Sequence, residues 1–306
     1  MLGSDKAKGN VILLITAIVW GTGFIAQKLG NAAMPPMAFN AIRQLFAGIV
    51  LCPVMAFSLK KSGYLDPGQN TRSAIEYRKK KALVGGIICG LCMLAGTATQ
   101  QIGLLTVSAG KSGFISSIYI VFTPLFSVIL GKKVNLKTFA CIAIAMFGFG
   151  VMSLKGGISG ATTGDWLTLI SAASFAAQIV AISFFVDKDN DIVLSVIEMI
   201  VCGIVGLVIS FFFEAPTMES VMAGMPAILY STFVPTAIGY TGQIVGEKYT
   251  DSTSAALIMS LESVFAAIFG ALFLAERMSG RELIGCAIIF AAVIIDQVEF
   301  RKRKMR

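Results

Sequence analysis

Val11-Ile12-Leu13-Leu14-Ile15-Thr16-Ala17-Ile18-Val19-Trp20-Gly21-Thr22-Gly23-Phe24-Ile25-Ala26 contains no charged residue. With its flanks it makes an apolar run over 10–29, about the 20 residues an α-helix needs to cross a hydrocarbon core roughly 30 Å thick. The run starts too late and extends too far for the apolar core of a secretory signal. Nine more runs of similar character follow, at 35–59, 82–105, 109–130, 136–154, 164–186, 191–213, 222–246, 252–274 and 280–298. The chain has 306 residues, 56% of them hydrophobic and 14% charged, where a soluble domain carries charge on about a quarter. These features predict an all-α polytopic membrane protein with ten transmembrane helices and no soluble domain.

The positions of Lys and Arg predict its orientation, because cytoplasmic loops are enriched in them. With the N-terminus inside, 19 of the 25 fall in inner segments, 5 in outer ones, and Arg43 within a span. The inner set includes Lys6 and Lys8, seven residues in the loop 60–81, Lys132, Lys133, Lys137, Lys188, Lys248 and five in the tail. Both termini are therefore expected in the cytoplasm. The basic tail 299–306, with Arg301-Lys302-Arg303-Lys304, reads as an anchor to anionic lipid headgroups and not as a nucleic-acid patch.

The chain repeats itself. A shift of 155 residues lays Ile15-Thr16-Ala17 over Ile170-Ser171-Ala172, Trp20 over Phe175, Ile42 over Ile197 and Gly48 over Gly203. Later spans match with small changes of shift, and Cys141 falls over Cys286. The expected units are 9–154 with spans 1–5 and 164–298 with spans 6–10. Five is odd, so the second copy must enter the membrane the other way round. Two inverted five-helix repeats are a recurrent plan of secondary transporters, with the substrate site at the repeat interface near the midplane.

Charges inside spans cost roughly 2.5–3.5 kcal/mol each on insertion scales and mark candidate sites. Arg43 in span 2 and Glu198 in span 7 occupy the same repeat position, and Glu262 lies in the middle of span 9. Arg43 suits a substrate carboxylate or phosphate, or serves as a packing anchor bonded to helix-end carbonyls. Glu262 and Glu198 are candidates for proton coupling or amine binding. Neutral candidates for a pocket are Trp20, Asn40, Gln100, Gln101, Tyr119, Gln178, Tyr240 and Gln243, each also able to serve as a helix–helix hydrogen bond. Trp20 is unusual in lying mid-span, since membrane tryptophans favour the interface. Asp165, Glu214 and Asp296 lie at span ends and are expected to be solvated. Gly86 and Gly90 form a weak helix-packing motif.

The chain has no histidine, the commonest general base and zinc ligand, so no metal site is expected. Its six cysteines, including Cys89 and Cys92, lie in apolar runs and read as small core residues. No cofactor is expected, and no nucleotide-hydrolysis motif is present.

Ala17-Ile18-Val19-Trp20-Gly21 with Phe24, Arg43, Gly103-Leu104 to Ser108-Ala109-Gly110-Lys111, Pro124, and Ser260-Leu261-Glu262-Ser263-Val264-Phe265 through Ala275-Glu276-Arg277 stand in a characteristic order. In these the chain resembles the drug/metabolite transporter superfamily, and within it the EamA type with ten spans and two repeats. It departs from that pattern at Ser263, where similar proteins often have proline. Gly131-Lys132-Lys133 also stands where the second half has Ala275-Glu276-Arg277. The resemblance implies export of small polar metabolites such as amino acids from bacterial cells, across the cytoplasmic membrane. Nucleotide-sugar and sugar-phosphate carriers share the superfamily, and Arg43 suits their cargo too.

The expected function is alternating-access transport, not enzymatic catalysis, with substrate held near Trp20, Asn40, Arg43, Gln101, Tyr119, Tyr240 and Glu262. Transport would run by proton exchange at Glu262 or Glu198, or by facilitated diffusion. The expected partners are a small-molecule substrate, the lipid bilayer and, in the coupled case, protons, with no nucleic acid. The other classes are an intramembrane enzyme, against which the absent histidine stands, and a membrane receptor that binds without transport.

Overall fold

The structure, a computed structural model, describes residues 2–129, 131, 136–154, 161–186, 191–250 and 252–297. The tail 299–306, Lys132, Lys133, Lys155, Lys188 and the Asp296 side chain lie outside the described residues.

Local chemistry explains where the helices start and stop. Helix α1 (Leu2–Ala33) gives way just before Pro35-Pro36. Helix α2 (Pro36–Ser62) opens with proline at its first turn, where the missing N–H costs no bond, and closes on Gly63 at φ 62°. Helix α3 (Arg72–Gly103) is capped by Thr71 and α4 (Ala109–Ser116) by Ser108, each accepting a backbone N–H of the first turn. Then come α5 (Tyr119–Ile129) and α6 (Leu136–Ser153). Helix α7 (Thr163–Phe185) begins with a reciprocal capping box between Thr162 and Asp165. It is followed by α8 (Asp191–Phe213) and α9 (Met218–Ser231), the latter running into a π-helical segment, Thr232–Tyr240. The chain ends with α10 (Thr241–Glu247), α11 (Ser252–Met259), α12 (Glu262–Leu274) and α13 (Gly280–Gln297).

Among the described residues eight helical segments are long and apolar enough to cross a membrane. Helices α6 and α13, at 18 residues each, add two that reach about 27 Å at 1.5 Å per residue. The ten spans match the sequence expectation, but three are not continuous. The fourth (α4–α5) breaks at Ser117–Ile118, the ninth (α11–α12) at Ser260–Leu261, and the eighth passes through the π segment. In that segment Pro235 has no N–H to give, and the wider turn absorbs the missing bond.

The packing carries the inversion. Gly48 lies against Ile200, Gly203 against Leu45 and Gly206 against Ala41, so α2 and α8 run antiparallel. Adding the 155-residue repeat shift to the Gly48–Ile200 contact turns it into the Gly203–Leu45 contact. A helix that packs antiparallel on its own repeat equivalent, at its own equivalent positions, requires a two-fold axis across the pair. Beyond the loop between α2 and α3 the shift becomes 143 residues, and it again relates paired contacts. Phe175 covers Gly96 as Trp20 covers Gly239, and Thr168 meets Gly103 as Leu13 meets Gly246. The two mid-span breaks are also 143 apart, so they belong to the repeat and not to one accident of sequence.

Large apolar side chains face outward along the spans, for example Phe57, Phe147, Phe211, Phe212 and Leu272. In water this surface would aggregate, whereas in lipid it is solvated.

Candidate functional site

One end of the bundle holds the start of α1, the 63–71 loop and the α10–α11 turn, where Thr250 donates to Asn10 Oδ1 at 3.1 Å. It is called the terminal face below, and the opposite end the far face. The far face is tied shut by charge. Lys111 Nζ pairs with Asp165 Oδ1 at 2.7 Å, and Asp165 is fully buried. Glu276 accepts both contacts from the Ala109 N–H, at 2.8 and 3.1 Å, and pairs with Lys28 at 3.6 Å. The Glu214 carboxylate accepts the Met37 and Ala38 N–H groups at 2.9 and 2.8 Å, capping α2 from another repeat. Asp165 and Glu214, expected to be solvated, are thus structural. Both sit where free helix N–H groups or a lysine offer positive charge, a match that only the tertiary arrangement creates. On the terminal face Lys248 pairs with Asp191.

Between the two faces lies a small internal cavity of about 30 Å³. Ten of its fourteen lining residues form repeat-related pairs: Trp20 with Phe175, Gly23 with Gln178, Phe24 with Ile179, Gln100 with Gln243, and Tyr119 with Glu262. Gln27, Arg43, Pro235 and Tyr240 complete the wall. Tyr119 and Glu262 are each the first residue after a mid-span break, so the break aims the first side chain of the resumed helix inward.

Arg43 is buried in full, and among the described residues no carboxylate lies within 4 Å of it. Its Nη2 donates to Asn40 Oδ1 at 2.9 Å and its Nη1 to Thr236 Oγ1 at 3.2 Å, while Nε has no partner. Asn40 in turn donates to Thr97 Oγ1 at 2.9 Å, and Thr97 to the Met93 carbonyl. The guanidinium is therefore aimed by side chains of α2, α3 and the π segment, not by helix-end carbonyls. The Trp20 and Tyr240 rings meet at 5.0 Å between centroids, tilted by 55°. Trp20 Nε1 donates to the Pro235 carbonyl at 3.0 Å, which accounts for an indole N–H held mid-span.

The sequence-predicted residues divide by location. Trp20, Arg43, Tyr119, Tyr240 and Glu262 line the cavity. Asn40 stands behind Arg43. Gln101 does not reach the cavity: its Nε2 bonds Asn31 Oδ1 at 2.7 Å and the Gln27 carbonyl, tying α3 to α1, while its neighbour Gln100 faces inward. Glu198 is one residue back from the wall, with Oε2 accepting from the Gln178 amide at 3.4 Å. Gln27 and Glu247 were not singled out in the sequence. Glu247 falls just outside the expected span 222–246, yet it is buried and accepts from Gln243 at 2.9 Å.

Known proteins match this chain along its whole length. A "Uncharacterized transporter" of Archaeoglobus fulgidus is 29% identical, covering 96% of this chain and 87% of the relative. A "Probable amino-acid metabolite efflux pump" of Escherichia coli strain K12 is 24% identical, covering 97% of both. A solved crystal structure superposes with a TM-score of 0.66 at 18% identity, covering 95% of this chain and 96% of the other, and so shares the fold. The EamA-like transporter family model matches twice, over 7–154 and 162–295, following the two structural repeats. Inverted repeats around a shared cavity and this double match lead to one conclusion: the chain belongs to the EamA-like transporter family of the drug/metabolite transporter superfamily.

Proposed function

We propose that the protein exports small zwitterionic metabolites, amino acids above all, across the bacterial cytoplasmic membrane with both termini inside. The observation that carries this reading is a fully buried arginine with no carboxylate partner among the described residues, sharing one small cavity with a glutamate and five aromatic rings, Trp20 and Tyr240 among them. A buried guanidinium with an idle N–H is a standing demand for an anion. A substrate carboxylate meets that demand at Arg43. The substrate ammonium meets Glu262, and Trp20 with Tyr240 cover the side chain. Gln100 and Gln243 supply neutral hydrogen bonds from symmetric positions.

The same arrangement argues against a sugar phosphate or nucleotide. Such a cargo brings about two negative charges at pH 7, and the cavity offers one arginine beside Glu262 with Glu198 behind the wall. Transport follows from the symmetry. The units 9–154 and 164–298 rock about the axis through α2 and α8, exchanging a closed far face for a closed terminal face. The broken fourth and ninth spans and the π segment supply the bends. The relative named as an amino-acid metabolite efflux pump supports the same cargo class.

Saturable uptake of labelled amino acids by proteoliposomes, measured with and without a pH gradient, is the test. Saturable uptake is expected. Binding of amino acids without flux would replace the transporter reading with a receptor, and no binding of any zwitterion would remove the cargo assignment.

A further inference from the structure

Two glutamine–glutamate pairs stand side by side near the terminal face, and both leave oxygen atoms without a donor. Gln178 donates to Glu198 Oε2, and Glu198 Oε1 has no partner. Gln243 donates to Glu247 Oε1, while Glu247 Oε2 and the Gln243 amide oxygen have none. Gln243 is 1% exposed, Glu198 0% and Glu247 6%. Helices α8 and α10, which carry the two carboxyl groups, are joined by a 2.9 Å bond between the Ser195 and Thr241 hydroxyls, one turn from Glu198 and two residues from Gln243.

Gln178 and Gln243, the donors to the two carboxyls, line the same small cavity and so hold both carboxyls behind one wall. Gly90 brings α3 onto the Glu198 backbone there. The other ionisable groups around the pair are Cys89 and Cys92 of α3, Cys202 of α8, Tyr119 of α5 and Tyr240 of the π segment, none of them a cation. The nearest basic residues are engaged elsewhere, Arg43 with Asn40 and Thr236, Lys248 with Asp191.

Three buried oxygens, on two carboxyls and an amide, accept no hydrogen bond among the described residues, and this unmet demand suits a positively charged ligand. We propose that Glu247, Glu198 and Gln243 form a site for a small monovalent cation, a proton or Na⁺, that adjoins the substrate cavity at Gln243. Gln178 and Gln243 form the wall between the two. Glu247 sits one turn from the terminal face, and a bound cation there releases toward that face while the substrate pair Arg43 and Glu262 remains on the cavity side. The site rests on the transporter reading only for its role as the coupling site; its occupancy is independent of any substrate.

The test uses the full chain in detergent or lipid with no substrate. Radioactive sodium binding is measured, together with the infrared band of protonated carboxyl groups over a pH titration, in the wild type, Glu247→Gln, Glu198→Gln and the surface control Glu76→Gln. Sodium binding weakened about tenfold or more in both buried variants and unchanged in the control identifies Na⁺; that is the lower end of what losing even a supporting ligand costs. No sodium binding, with a titrating carboxyl band diminished in both variants, identifies the proton. No sodium binding and a band that neither variant alters overturns the proposal. Should a carboxyl variant fail to fold, Gln243→Leu removes the idle amide oxygen and leaves both acids. Sodium affinity and band position unchanged in that variant overturn the proposal equally. Cation binding without amino-acid uptake would keep this site and remove the proposed function, while saturable uptake without cation binding would do the reverse.

Discussion

The two repeats are most instructive where they occupy equivalent places with different chemistry. Gln100 and Gln243 are the same residue at the same position, both lining the cavity. Arg43 and Glu198 also share a repeat position, seven residues into α2 and α8, yet they carry opposite charge. Because the repeats are inverted, Arg43 lies toward the far face and Glu198 toward the terminal face. Trp20 against Phe175 and Tyr119 against Glu262 add further differences. A cavity built from identical halves would bind the same groups at either mouth. These substitutions put the Arg43 guanidinium on one side of the midplane and the Glu198 carboxyl on the other. Symmetry supplies the motion, and its local violation supplies the polarity.

The ion pair at the far face has no counterpart of equal burial at the terminal face, and breaking it should have the largest effect. Lys111→Met leaves Asp165 charged and fully buried, so a loss of about 3–5 kcal/mol in stability is expected. Thermal unfolding in detergent measures it, and Lys79→Ala, from a pair more than half exposed, is the comparison expected to change almost nothing.

Arg43→Ala and Glu198→Gln test the charge asymmetry. The first should weaken amino-acid binding about 30-fold or more, from the roughly 2 kcal/mol lost with one partner of a buried charge pair. The second should leave binding near the wild-type value while altering the response of uptake to an imposed gradient. Equal effects on affinity would mean the two positions act alike and the asymmetry is idle.

Gly203→Ala and Gly48→Ala probe the axis itself. A Cβ at 203 would sit 2.6 Å from the Leu45 backbone nitrogen, whereas at 48 the first obstacle is the Ile200 side chain. Backbone yields less than a side-chain end, so Gly203→Ala should cost about 1–3 kcal/mol and Gly48→Ala less, again read by thermal unfolding. Trp20→Phe, which makes the first repeat resemble the second, removes the donor to the Pro235 carbonyl and should cost about 1 kcal/mol. If it leaves both stability and uptake unchanged, the indole bond has no part in either.

Apolar run length determined ten helices, because a bilayer core of constant thickness demands about 20 apolar residues per crossing. The 155-residue register and the odd number of spans per copy determined the inverted plan, since parity admits no other arrangement. Burial of Arg43, Glu198 and Glu262 was legible because an ionisable residue in an apolar run has nowhere else to go. The tertiary structure decided which face of each helix turns inward. Gln100 and Gln101 are adjacent and chemically identical, and only the rotation of α3 sends one into the cavity and the other to Asn31 of α1. It also decided partnership across the chain. Nothing local joins Glu214 to the start of α2, or marks Glu247 as buried beside Glu198, because electrostatic need is met by whatever group the fold brings near.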